Sequence, residues 1–260
     1  MSKKAIITGG ARRLGRAMAL ELASQGTDII IHYNTGAKDA EETRDLARQK
    51  GVRAEIIKAD LLEMSDTIEL IGKAKSLISG AFDTLINNAS IFEYDNLSSV
   101  DLESWERHIN SNLRAALFLT QKFAEQAPQM NNPNDELPCT ESNVINMIDQ
   151  RVRKITPEFM SYTTAKMGLW AFTQSAAQFL APNIRVNAIG PGPTLQGSRQ
   201  SKENFEQQRK STPLMRGANE MDVTNAMNYI LSAYSVTGQL ICLDGGQHLA
   251  WKTPDAVGIE

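Results

Sequence analysis

Short apolar runs rich in β-branched residues alternate with long helical runs along almost the entire chain, and this alternation constrains the fold more than any other feature. The runs Lys4–Thr8, Asp28–Tyr33, Ala54–Ala59, Thr84–Asn88, Asn143–Ile148, Arg185–Ile189 and Gln239–Leu243 read as strands. Several are apolar without interruption, as in strands covered by helices on both faces. Between them, Leu14–Gln25, Lys38–Lys50, Ser65–Ile78, Leu102–Gln126, Pro157–Leu180 and Glu220–Ala233 carry helical patterns, the first stopped by Gly26. Strand–helix alternation repeated this often predicts an α/β fold with a doubly wound parallel sheet. Seven strands in one sheet use the whole length, so residues 1–260 are expected to form a single domain.

Composition removes several function classes. Thirty acidic against 27 basic residues give a net charge of −3, without the basic excess that phosphate backbones require, so no nucleic-acid partner is expected. The two cysteines, Cys139 and Cys242, are too few for a disulfide framework, which makes a reducing, cytoplasmic setting the default. The three histidines are scattered, so no metal site is expected, and the polar N-terminus lacks the pattern of a signal peptide. The longest uncharged stretch, Met167–Ile184, contains Thr173, Gln174, Ser175, Gln178 and Pro182. A membrane helix needs about 20 predominantly apolar residues, so this stretch is read as a buried helix. Two loops interrupt the rhythm. Pro128–Ser142 is polar and rich in Pro and Asn, while Gly190–Gly197 follows a strand, where crevice-lining loops of open α/β sheets occur.

The first strand runs into Thr8-Gly9-Gly10-Ala11-Arg12-Arg13-Leu14-Gly15. Gly9 permits a tight turn, Gly15 lets helix and strand approach, and the N–H groups at the helix start suit a pyrophosphate. A ribose-binding acid is expected at the end of the second strand, about 20 residues past the glycines. Asp28 has the spacing but precedes the strand, whose far end reads His32-Tyr33-Asn34-Thr35, without a carboxylate. Two guanidiniums in the turn and no acid to repel a 2′-phosphate favour NADPH over NADH.

In Ser161-Tyr162-Thr163-Thr164-Ala165-Lys166, Tyr162 and Lys166 are four residues apart and share a helix face. Lowering a tyrosine from its ordinary pKa of about 10 by about 3 units requires about 4 kcal/mol. A lysine charge about 4 Å away supplies energy of that order at an effective dielectric near 20.

With these motifs in place, the chain resembles the short-chain dehydrogenase/reductase family over nearly its whole length. The resemblance is carried by the glycine turn, Asp60-Leu61, Asn87-Asn88-Ala89, Asn112, Tyr162 with Lys166, Pro191-Gly192 and the closing Leu243-Asp244-Gly245-Gly246. It implies a Rossmann-like fold with NADPH held by Gly9, Arg12, Arg13 and Leu14, by His32 to Thr35, by Asp60 and Leu61, and by Asn88, Ala89 and Ser90. Tyr162, Lys166, Pro191 and Gly192 complete that site. Tyr162 is the implied acid–base, Lys166 the ribose holder that lowers its pKa, and Asn112 the support of a water-linked proton relay. A homotetramer is also implied, and Gln247–Trp251 could reach a neighbour's site.

The departures from the family pattern narrow the reading. A serine normally stands about thirteen residues before the tyrosine, and here that position is Asp149; Arg13 replaces the middle glycine of the turn, and Ser90 and Phe92 follow Asn88-Ala89. Together with His32-Tyr33, these features resemble the pteridine reductase branch, whose members reduce dihydromonapterin or dihydrofolate. The expected substrate is then pteridine-like, with Phe92 stacking on its ring, Arg13 and Ser90 on its polar edge, and Asp149 relaying a proton through Tyr162. Two alternatives stay open: a carbonyl reductase of 3-oxoacyl or sugar-like substrates, with Thr156 as the replacement donor, and an inactive nucleotide-binding scaffold. The basic run Arg151-Val152-Arg153-Lys154 is read as solvated surface, with attraction of an anionic folate tail as its alternative.

Overall fold

A computed structural model describes residues 2–130, 136, 139–197 and 200–250. Seven strands form one parallel sheet: β1 (Lys4–Ile7), β2 (Asp28–Tyr33), β3 (Ala54–Lys58), β4 (Thr84–Asn87), β5 (Asn143–Met147), β6 (Arg185–Pro191) and β7 (Leu240–Leu243). Their spatial order is β3-β2-β1-β4-β5-β6-β7. The chain winds outward from β1 in one direction, then returns to β4 and winds in the other. That reversal opens a crevice beyond the C-terminal ends of β1 and β4, where open α/β sheets bind ligands.

Strand side chains alternate between the two faces. Ile7, Ile29 and Ile31 join a cluster with Met18, Leu22 and Met227. Ile6, Ile30 and Leu85 point the other way, into a cluster with Leu70, Phe123 and Ala177. The helices that cover the sheet are α1 (Arg13–Ser24), α2 (Ala37–Arg48), α3 (Met64–Leu77), α4 (Leu102–Ile109), α5 (Ala115–Ala124), α6 (Met160–Leu180), α7 (Lys202–Lys210) and α8 (Glu220–Ser232). The apolar runs lack alternation because both faces are buried. Truncating one of these isoleucines to alanine costs about 2–5 kcal/mol.

Three departures from the sequence pattern bear on the site. The helical run from Leu102 is divided by a π turn at Asn110–Arg114, which carries Asn112. The helix expected from Pro157 begins only at Met160, because Phe159 adopts a left-handed backbone with φ 58° and ψ 51°. The short α7 was not expected: its sequence is almost wholly polar, and Phe205 is its one buried residue. Among the described residues, no helix is long and apolar enough to cross a membrane, and no cluster of His, Cys, Asp or Glu could hold a metal ion. Trp251 and most of residues 131–138 lie outside the described residues.

Candidate active site

The turn after β1 is built around Thr8 and Gly9. Thr8 Oγ1 accepts hydrogen bonds from the backbone N–H groups of Asn88 (2.8 Å) and Ala89 (2.9 Å). The Asn88 amide donates back to the carbonyls of Thr8 (2.9 Å) and Gly9 (3.1 Å). The β1 and β4 turns are thereby tied together across the switch point. Gly9 sits at φ +60°, and a Cβ on Gly15 would lie 2.1 Å from the Gly9 carbonyl oxygen. Only glycine at position 15 leaves the turn this tight, with the first N–H groups of α1 facing the cleft.

The His32 ring, expected beside the cofactor, is turned away from the cleft. It is buried, its Nδ1 accepts from Gly9 N at 3.0 Å, and its Nε2 lies 3.1 Å from the Ala59 carbonyl. Acceptance at Nδ1 places the single proton on Nε2, and burial pushes the pKa down to about 4, so the ring is neutral. His32 is a pin between β1, β2 and β3. Asn34 and Thr35 are exposed beside it, while Tyr33 is half-buried against the core.

The far end of β2 carries no acid, but an acid reaches the glycine turn from the helix that follows. Asp39, in the first turn of α2, accepts from Arg12 Nε at 2.6 Å and pairs with its Nη2 at 2.5 Å. An acid is favourable there because the N-terminus of a helix carries partial positive charge. Arg13 has φ 52° and extends across the cleft to the carbonyls of Gln196 (2.8 Å) and Leu195 (3.1 Å). The family's glycine at this position is explained by that left-handed backbone; in this chain the two bonds offset the strain.

Past β5, Asp149 begins a short turn and accepts from Arg151 N at 2.8 Å. Tyr162, from the first turn of α6, donates its hydroxyl hydrogen to Asp149 Oδ2 at 3.0 Å, and the Ser90 side chain works against the upward shift of the phenol. Burial raises the Asp149 carboxyl above the usual carboxylate range. Burial, then the charge of Asp149 and its hydrogen bond, push the Tyr162 phenol well above its ordinary value. The expected lowering by Lys166 is absent. The buried Lys166 ammonium donates to the Met147 carbonyl at 2.8 Å, lies 5.7 Å from the centre of the Tyr162 ring, and is itself pushed down to about 8 by burial.

Phe92 is 44% exposed and lines the cleft, so it is not ordinary core. Its ring meets Tyr162 edge-on at 4.6 Å and stacks on Phe159 at 4.4 Å. Asn112 holds the preceding residue, accepting from Ile91 N (2.9 Å) and donating to Ile91 O (2.8 Å). Thr156, the candidate replacement donor, holds Arg151 Nη1 at 2.9 Å instead. Asp149 forms no ion pair with Arg151 or Arg153 among the described residues; its charge-bearing oxygens take the Arg151 backbone and Tyr162. Asp60 accepts from Leu62 N at 3.0 Å, with Leu61 buried next to it.

These elements enclose a cleft of about 460 Å³ that brings together Arg12, Arg13, Ser90, Phe92, Asp149 and Gly192. Gly192 passes close to Asp244, where a Cβ would lie 2.6 Å from the aspartate's own Cβ. The sequence reading missed Phe159, whose backbone conformation has no sequence signature, and the buried Asp95, which holds Phe159 N at 2.7 Å and Ser161 N at 3.1 Å. The site as a whole offers a buried phenol and carboxyl sharing a proton, an aromatic wall beside them, and an anion cradle at a helix start.

Comparison with known proteins agrees with this geometry. Residues 9–248 match the family described as Enoyl-(Acyl carrier protein) reductase. The 3-oxoacyl-(acyl-carrier-protein) reductase FabG of Staphylococcus aureus is 30% identical over 254 residues, covering 96% of this chain and 99% of the relative. A short-chain type dehydrogenase/reductase of Picea abies is 28% identical over 257 residues, covering 94% of this chain and 91% of that protein. Among solved structures, the FolM alternative dihydrofolate reductase 1 of Brucella suis, in complex with NADP, superposes with a TM-score of 0.89 at 40% identity, covering 97% of this chain and 98% of that one. With its strand order, glycine turn and Tyr162–Lys166 helix, the chain belongs to the short-chain dehydrogenase/reductase family of oxidoreductases.

Proposed function

We propose that this chain is an NADPH-dependent reductase of a dihydropterin or a related pteridine or folate. The residues fit the cofactor: Gly15 leaves no Cβ in the pyrophosphate cradle, the start of α1 lines the cleft, and Arg12, on the side of α2, would offset the charge of a 2′-phosphate. Gly9, Leu14, Asn88, Ala89, Pro191 and Gly192 would hold the dinucleotide, with Asp60 and Leu61 toward its adenine and Lys166 toward its nicotinamide ribose. The bound cofactor supplies a hydride to a ring carbon of the substrate.

The observation that carries the reading is the 3.0 Å hydrogen bond between Tyr162 and Asp149. A ketone reductase keeps neutral donors around a developing alkoxide, whereas Asp149 becomes a carboxylate once it has passed its proton on and then disfavours that charge. A cyclic imine instead needs a proton at ring nitrogen, which a buried phenol–carboxyl pair can hand over. Tyr162 donates it, Asp149 replaces it, and Asn112 supports the water-linked supply. Phe92 covers one face of the flat ring, and Arg13 with Ser90 binds its polar edge. The 40% identity to the FolM enzymes of Brucella suis and Brucella canis supports this choice.

A second reading, reduction of a carbonyl, is favoured by the 30% identity to FabG and by the Ser90 hydroxyl next to Tyr162, a neutral donor that Thr156 is not placed to be. Steady-state NADPH oxidation with dihydrobiopterin, dihydromonapterin and dihydrofolate against a panel of ketones separates the two. Turnover of ketones alone sinks the pteridine reading, and turnover of nothing returns the scaffold alternative. A cytoplasmic homotetramer of single-domain subunits belongs to the same proposal; a monomer in light scattering would remove that part.

A further inference from the structure

Three guanidiniums line the cleft, those of Arg12, Arg13 and Arg151. Arg12 is paired with Asp39, and Arg13 is bonded to two backbone carbonyls. Arg151, on the β5 side past Asp149, is held differently. Its Nη1 donates to Thr156 Oγ1 at 2.9 Å, and its guanidinium carbon lies 4.8 Å from the centre of the Phe159 ring. That ring stacks on Phe92 at 4.4 Å with an interplanar angle of 13°. Guanidinium, Phe159 and Phe92 therefore form a column whose last member touches Tyr162.

The column is fixed from behind. Phe159 has a left-handed backbone that bulky residues hold only when their surroundings impose it. Its N–H donates to the Asp95 carbonyl at 2.7 Å, while the buried Asp95 carboxylate takes Ser161 N at 3.1 Å and Ser104 Oγ at 2.8 Å. A guanidinium lying on a ring keeps its N–H edge available, a planar fork matched to a carboxylate. Among the described residues no carboxylate forms an ion pair with it, whereas other arginines have such partners.

We propose that Arg151 is the subsite for a carboxylate on the substrate's side arm, so that the enzyme prefers an anionic pteridine conjugate of the folate kind over a pterin with an uncharged arm. The ring to be reduced lies at Phe92 and Tyr162, and the two steps of 4.4 and 4.8 Å beyond it lead to the guanidinium. An anionic arm extending past the ring meets this charge at the cleft wall. This inference rests on the pteridine reading above.

The test compares dihydrofolate with dihydromonapterin at saturating NADPH in the wild type, Arg151→Gln and Arg151→Lys. Arg151→Gln should raise KM for dihydrofolate about tenfold, the loss of one charge-assisted contact, with KM for dihydromonapterin changing less than about twofold. Arg151→Lys should recover part of that loss, because it restores the charge without the fork. Equal changes for both substrates, or none for dihydrofolate, would overturn the subsite. Should the variants fail to fold, the wild type still answers: KM for dihydrofolate should climb between about 0.05 and 0.5 M NaCl while that for dihydromonapterin stays level. Parallel salt slopes overturn the proposal. A wild type that reduces ketones but neither pteridine removes the underlying reading instead.

Discussion

Replacing Asp149 by asparagine removes one charge from the site while keeping its shape, and the structure sets how far Tyr162 should respond. The phenol oxygen and Asp149 Oδ2 are 3.0 Å apart inside a buried pocket. At an effective dielectric near 20, a unit charge at that separation disfavours the phenolate by about 5 kcal/mol, equivalent to about 4 pKa units. Burial, the larger cause of the upward shift, remains in the variant. Asp149→Asn should therefore bring the phenol down toward its ordinary value of 10 without carrying it below. Ultraviolet difference titration reads this directly: the chain has five tyrosines, and subtracting a Tyr162→Phe background isolates the one concerned. Kinetics gives the second readout. The pair delivers a proton from its protonated form, so turnover of dihydropterin should decline as pH rises through the raised pKa of Asp149. Asp149→Asn should abolish that limb and lower kcat by about 10²–10⁴, the contribution of a positioned general acid. An asparagine variant with the wild-type rate and the same alkaline limb would refute the shared-proton argument, as would an unmoved Tyr162 titration.

Three further outcomes follow from the same geometry. Gly15→Ala places a methyl 2.1 Å from the Gly9 carbonyl oxygen; the turn must shift, costing about 1–3 kcal/mol in urea unfolding and weakening NADPH more than about tenfold by fluorescence titration. Asp39→Asn frees the Arg12 guanidinium, so the preference for NADPH over NADH should grow by about threefold to tenfold, and a ratio of dissociation constants that stays fixed would place 2′-phosphate recognition elsewhere. His32 is neutral when folded, with a pKa of about 4 against the ordinary 6.5. The unfolded chain therefore binds the extra proton first, and stability present above pH 6.5 should drain away by up to about 3 kcal/mol as pH falls to 4; denaturant melts of wild type and His32→Gln across that window measure the difference, and parallel losses would remove His32 as the cause.

The sheet was legible because its strands are buried on both faces: Ile29-Ile30-Ile31 must lie in a strand with a cover on each side, whatever the loops do. The residues proposed to carry protons were legible for a local reason, since Tyr162 and Lys166 are one helical turn apart and Asp149 stands at a strand end that empties into the crevice. Contacts between loops were hidden. Nothing local pairs Arg12 with Asp39, 27 positions away, and the left-handed Phe159 depends on Asp95, which arrives from the β4 loop. The role of the His32 ring was hidden too: it turns inward to a backbone N–H that no side-chain pattern reveals. The helix α7 escaped for a different reason: with one buried residue, Phe205, it has no apolar stripe to detect.

The correction at Tyr162 bears on the direction of the chemistry. A tyrosine with its pKa lowered by a nearby lysine is suited to accept a proton from an alcohol, and so to oxidation as well as reduction. Here the phenol is driven up by burial and by Asp149, while Lys166 is driven down to about 8 and turned to the Met147 carbonyl. Both shifts come from excluding water from the base of the cleft, and both hold the phenol in its protonated form. The proton is then always in place, but the raised pKa makes the phenol a weak acid, so transfer must wait for an acceptor that becomes strongly basic as hydride arrives. Asp149 in place of serine thus does more than change which substrate group can be tolerated: it adds to burial in keeping the proton on Tyr162 until a basic centre takes it, which in the proposed reaction is the ring nitrogen beside the carbon that receives hydride.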